Sequence, residues 1–115
     1  MSCDAIDLLR LAQELLNAPN PTEATARTVI SRSYYAVFLA ARHNLSTAGV
    51  VRVTGSGRDH RAVIEAVQRN SKFVGDVLDS LRDQRNRADY DLTVGFSAEF
   101  ARQATELAEW VYDNV

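Results

Sequence analysis

Apolar residues along the chain fall into stretches whose spacing is helical. Ile6, Leu8, Leu9, Leu11, Ala12, Leu15 and Leu16 gather mostly on one face while Asp4, Asp7, Arg10 and Glu14 lie elsewhere, so the pattern predicts a first helix over residues 4–17. Pro19 and Pro21 interrupt the chain, and Asn20, Pro21 and Glu23 read as the N-cap, first helical residue and capping-box acid of a second helix. That helix is predicted to continue through Val29, Ile30, Tyr34, Val37, Phe38 and Ala41 to about residue 44. At about 1.5 Å per residue it is long enough to cross a small domain, which makes it the central helix.

Residues 46–58 place Gly49, Gly55 and Gly57 around Val50, Val51 and Val53, the pattern of a mobile loop with a short extended piece. A short third helix is expected from about residue 59, with Val63, Ile64 and Val67 on its apolar side, fading at 69–71. A fourth turns Phe73, Val74, Val77, Leu78 and Leu81 inward and carries a dense charged stretch at its end, before Leu92-Thr93-Val94-Gly95 breaks the pattern. Ser97 reads as the cap of a fifth, whose Phe100, Ala104, Leu107, Ala108 and Val111 recur at spacings of three and four. With no internal repeat, low-complexity tract or strand pair, the expected fold is all-α, an up-and-down bundle of four to five helices forming a single domain over residues 1–115.

Composition narrows the classes without choosing a function. The ordinary apolar share and 24% charged residues exclude disordered and fibrous chains. The net charge of -2 argues against a surface that attracts nucleic acid everywhere, though it leaves room for a local basic patch. Cys3 is the single cysteine, so no internal disulfide forms, and with no signal-peptide pattern a cytoplasmic location is expected. The longest uncharged apolar run, residues 33–41, is less than half of the roughly twenty residues a membrane span needs, so no membrane association is expected.

The chemistry concentrates in Arg85-Asn86-Arg87-Ala88-Asp89-Tyr90-Asp91. Arg85 and Asp89 share a helix face four residues apart, an intrahelical ion pair worth about 0.2–0.5 kcal/mol, and Asn86 and Tyr90 make a second such pair beside it. Tyr90 taken alone reads as a half-buried ring with its hydroxyl in water. In the second helix, Ser31-Arg32-Ser33-Tyr34-Tyr35-Ala36-Val37-Phe38 places an arginine and two tyrosines where burial is expected, and Asp89 is the candidate partner for Arg32, with a solvent-facing Arg32 as the alternative. His60, beside Arg58, Asp59 and Arg61, reads as part of a surface capping cluster, with a phosphate contact at the helix N-terminus as the lesser alternative. His43 reads as solvent-facing. Gly55-Ser56-Gly57 lacks the strand and the Lys-Ser/Thr of a phosphate loop and reads as a hinge. No cluster has metal-ligand spacing and nothing matches a nucleophile, histidine and acid set, so neither a metal nor a cofactor is expected.

These two motifs resemble the HEPN domain family, in a branch of small proteins marked by S-R-x-Y-Y-A-x-F and R-x-x-A-D-Y-D, and the similarity covers nearly the whole chain. The resemblance implies a helical bundle that forms a homodimer with its motif helices facing each other, often encoded beside a minimal nucleotidyltransferase as toxin and antitoxin. Active members are metal-independent endoribonucleases with an R-x(4-6)-H motif. Carried onto this chain, it implies Arg85, Asn86, Asp89 and Tyr90 as the catalytic group and Arg32, Arg82 and Arg87 as nucleic-acid contacts.

The chain departs from the pattern at one point. Arg85 has the arginine's place, but Tyr90 stands where the histidine belongs, and neither His43 nor His60 has an arginine five to seven residues before it. A tyrosine with a reference pKa of about 10 is only about 0.1% ionised at pH 7, so Tyr90 is a poor substitute for a group that takes and gives protons. The sequence therefore supports an RNA- or nucleotide-related HEPN protein, of the toxin type, with weak or absent ribonuclease activity. The alternative is a non-catalytic dimeric partner that docks a nucleotidyltransferase and offers Tyr90 for modification, and behind both stands a purely structural dimerisation module.

Overall fold

The computed structural model describes residues 4–115, so Cys3 lies outside the described residues. Five helices follow in order: α1 (Ala5–Leu16), α2 (Glu23–Thr47), α3 (Arg58–Asn70), α4 (Lys72–Tyr90) and α5 (Ala98–Asp113), with no strand among the described residues. The all-α bundle expected from the periodicity is what the chain forms. α2 has 25 residues and is the one helix that packs against all four others. Its Ala26, Val29, Ile30, Tyr34, Ala36, Val37, Phe38 and Ala41 are all buried, which explains why its apolar positions wrap around the helix instead of keeping to a stripe.

Helix ends show where sequence reading was accurate and where it slipped. Ser97 caps α5, accepting from Phe100 N, as its position suggested. α2 begins two residues later than the prolines imply: Thr22 is the N-cap, exchanging hydrogen bonds with Thr25, and Asn20 instead takes a left-handed φ of 55° in the preceding turn. Glu23, freed from a capping role, accepts from Phe96 N and pairs with Arg27.

α3 and α4 form a tight hairpin in which Ser71 both ends one helix and caps the next. The hairpin closes on Gly75, where an added Cβ would stand 2.6 Å from the Gln68 backbone. Only a hydrogen fits there.

Three aromatic or aliphatic residues expected inside lie outside. Phe73 is 69% exposed, because Val74, Leu78 and Leu81 set the inner side of α4, and Leu107 at 42% and Phe100 at 38% lie outside because Ala101, Ala104, Thr105, Ala108 and Val111 set that of α5. Phe73 instead packs edge-on to Trp110 on the outer surface. Residues 48–57 join α2 to α3 with no strand, and the segment expected to be a hinge is pinned. Thr54 N, Thr54 Oγ1 and Gly55 N all donate to the buried Asp59 carboxylate, which also faces Arg42 of α2 at 3.6 Å. These donors hold the Asp59 carboxyl below the ordinary carboxylate value, the Thr54 hydroxyl most strongly.

Candidate functional site

The last two turns of α4 lie along the middle of α2, and the two helices pair in antiparallel register. Ser31 and Tyr35, one turn apart on α2, meet Asp89 and Arg85, one turn apart on α4. Ser31 Oγ donates to Asp89 Oδ2 at 3.2 Å, and Arg85 Nη2 donates to the Tyr35 hydroxyl. Arg85 Nη1 donates to Asn86 Oδ1 at 2.6 Å. Its Nε lies 3.1 Å from Asp89 Oδ2, near enough for an ion pair but out of line for a hydrogen bond. The guanidinium sits 4.6 Å from the centroid of the Tyr35 ring and 5.7 Å from that of Tyr90, a cation between two aromatic faces. Arg85 is thus mostly withdrawn from solvent and held on every side.

The expected ion pair of Arg85 with Asp89 is present, but several neighbours sit differently from the sequence reading. Arg32 is exposed and does not reach Asp89, whose carboxylate is taken by Ser31 and Arg85. On α2 the position facing Asp89 is 31, and residue 32 is rotated about 100° away. Asn86 turns to Arg85 instead of pairing with Tyr90. Tyr90 is 76% exposed, not half-buried, because α4 ends there and no helix covers its outer side. Arg87 points outward to Asp83 at 3.4 Å. Arg82 is half-buried, and its Nε finds no hydrogen-bond partner among the described residues.

Two features had no signal in the motifs. Arg27 of α2 reaches across to the end of α4 and donates to the carbonyls of Ala88 at 2.9 Å, Asp91 at 3.0 Å, Arg87 at 3.4 Å and also Val94. These are the orphan acceptors of a helix C-terminus and its following turn, so Arg27 fixes where the motif helix stops. The second is His60. It is no surface capping residue: its ring stacks on Phe38 at 4.2 Å, and its Nδ1 shares a 2.6 Å hydrogen bond with the hydroxyl of Tyr34. Tyr34 is fully buried. Burial raises the Tyr34 phenol well above its ordinary range against the opposing pull of Arg82 and Arg85, so it stays neutral. His60 is shifted below its ordinary 6.5, by burial first and then by the charge of Arg82. The visible hint was the Tyr34, Tyr35 and Phe38 cluster on a central helix, which called for a ring from a neighbouring helix to stack on it. His43 is exposed, as expected.

Among the described residues no group of three or more His, Cys, Asp or Glu side chains is placed to hold a metal ion, and no helix is long and apolar enough to cross a membrane.

An antiparallel helix pair enclosing an arginine between tyrosines, inside a five-helix bundle, defines a small all-α module with one polar seam. The chain belongs to the HEPN domain family, whose profile matches residues 4–115. It is also similar to the uncharacterized protein MJ0992 of Methanocaldococcus jannaschii, with 27% identity over 95 residues, covering 67% of this chain and 54% of that protein. The chain therefore spans about half the length of the curated relative it matches. No solved structure gives a significant match.

Proposed function

We propose that this HEPN protein acts on RNA as a homodimer joined near the α2–α4 seam, with Arg85 as the cation that meets a phosphate. The observation that carries the reading is the state of Arg85: a guanidinium only 13% exposed, oriented by Tyr35, Asn86 and Asp89 at the end of a helix. A preorganised, poorly hydrated cation stabilises developing phosphorane charge better than a mobile surface one. Arg82, Arg87 and Arg32 lie on the same two helices and would extend the contact along the RNA backbone. The resemblance to active HEPN members supplies the reaction class, metal-independent cleavage with 2′-hydroxyl attack, in a toxin-type role. The test is incubation of the purified protein with cellular RNA in EDTA beside Arg85→Ala. Fragments ending in 2′,3′-cyclic phosphate, absent for the variant, support the reading, and intact RNA with a folded dimer removes it.

A second reading is favoured by Tyr90 and Leu92, which are 76% and 85% exposed just beyond the seam. An accessible tyrosine hydroxyl next to an apolar residue suits a docking partner that modifies it, here a nucleotidyltransferase. Nucleotide transfer from that enzyme onto the wild type but not onto Tyr90→Phe supports this alternative.

A further inference from the structure

Cleavage by 2′-hydroxyl attack needs a group that takes and returns a proton, and the motif carries none at position 90. α3 brings one to the seam. The rings of His60 and Tyr35 meet edge to face with centroids 6.1 Å apart, and Tyr35 is the same ring that carries the Arg85 guanidinium. We infer that His60, positioned by Tyr34 and meeting the Tyr35 ring that also carries Arg85, is the proton-transfer residue of a phosphodiester-cleaving site assembled from α2, α3 and α4. This assignment rests on the RNA-directed reading above.

Four observations support it. The Tyr34 hydroxyl engages Nδ1, leaving Nε2 as the nitrogen free for a substrate, since it has no hydrogen-bond partner among the described residues. Stacking on Phe38 fixes the plane of the ring, so Nε2 keeps one direction. Arg82 Nε is buried with no hydrogen-bond partner among the described residues, and the Arg82 charge bears on the imidazole. The groups facing His60 are Tyr34, Tyr35 and Arg42 from α2, Asp59 from its own helix and Arg82 from α4. Burial and the two arginines outweigh Asp59, so the ring is neutral at pH 7 and carries a lone pair.

The step balances without a co-reactant. In the tautomer whose Nδ1–H donates to the Tyr34 oxygen, Nε2 takes the proton of the ribose 2′-hydroxyl as the 2′-oxygen bonds to phosphorus. The bond from phosphorus to the 5′-oxygen breaks, and the same proton passes from Nε2 to that departing oxygen. The products are a 2′,3′-cyclic phosphate and a 5′-hydroxyl, while Arg82 and Arg85 face the charge on the non-bridging oxygens.

The experiment compares wild type, Arg85→Ala, His60→Gln, and His60→Gly with and without added imidazole, on a labelled RNA oligonucleotide in EDTA between about pH 5 and 9. Expected are a rate that rises with pH through a value below 6.5, a loss of about 10²- to 10⁴-fold in His60→Gln at unchanged RNA affinity, and partial rescue of His60→Gly by imidazole. Arg82→Ala should move the acid limb up toward 6.5, an effect that a merely structural histidine would not produce. Cleavage by His60→Gln at the wild-type rate, with Arg85→Ala inactive, overturns the assignment and leaves the RNA-directed reading standing. No cleavage by wild type at any pH overturns both. Should the His60 variants not fold, Tyr34→Phe decides: freeing Nδ1 should lower the rate and move the acid limb, and an unchanged profile overturns the assignment.

Discussion

Arg27 and Arg85 are the same side chain, equally withdrawn from solvent at 14% and 13% exposure, crossing the same helix pair in opposite directions. Arg27 reaches from α2 to α4 and gives its guanidinium N–H groups to backbone carbonyls and to Glu23. Arg85 reaches from α4 to α2 and meets only side chains: one phenol, one amide, one carboxylate and two ring faces. Carbonyls cannot move without unwinding the helix, whereas side chains can turn aside for a ligand. Arg27 is therefore bound into the fold, and Arg85 is held in a setting that can exchange partners.

The sharpest way to break this comparison is Arg27→Ala. It should cost about 3 kcal/mol in urea unfolding, since it strips charge-assisted donors from several carbonyls at once, and a loss under about 1 kcal/mol would make the two arginines alike. Arg85→Ala should cost less, about 1 kcal/mol, because its partners are side chains that can turn to other contacts once it is gone; its main effect should fall on RNA. Acid probes the Arg27 end through Asp91, separately from the Asp59 carboxyl at the start of α3 that is also held low. Asp91, at the α4 C-cap, has its carboxyl held below the usual 3.8 by the Thr93 hydroxyl and N–H. Its contribution is present above 3.8 and is lost as pH falls through the folded-state value, so the α4 terminus should loosen in that window, seen as lower amide protection factors at residues 87–91, corrected for intrinsic exchange, and Asp91→Asn should remove this acid-dependent drop. Smallest of all, Tyr90→Phe should change stability by less than about 0.5 kcal/mol in the same urea assay, as expected for a side chain that is 76% exposed.

The contrast also explains what was legible beforehand. Helix number, order and approximate bounds follow from apolar spacing, and the Arg85 motif is visible because its partners lie one turn away or in a second compact motif. Arg27 was invisible because its partners are main-chain carbonyls, which every residue has. The packing of His60 is hidden from the sequence because the rings that hold it, Tyr34 and Phe38, come from another helix. Spacing turns Phe73, Phe100 and Leu107 inward because it identifies a stripe but not which of two neighbouring stripes meets the core. The start of α2 was read from prolines, whereas a threonine pair two residues on made the better cap.

The close contact at Gly75 has a mechanical consequence. α3 and α4 behave as the arms of a pair of tongs pivoting at Ser71, with His60 about 16 Å out along one arm and Arg85 about 21 Å along the other. A methyl group at position 75 would stand 2.6 Å from the Gln68 backbone and wedge the arms apart near the pivot, and the displacement needed to relieve that contact grows toward the tips. The missing side chain of one glycine thus sets the gauge between imidazole and guanidinium, although it touches neither.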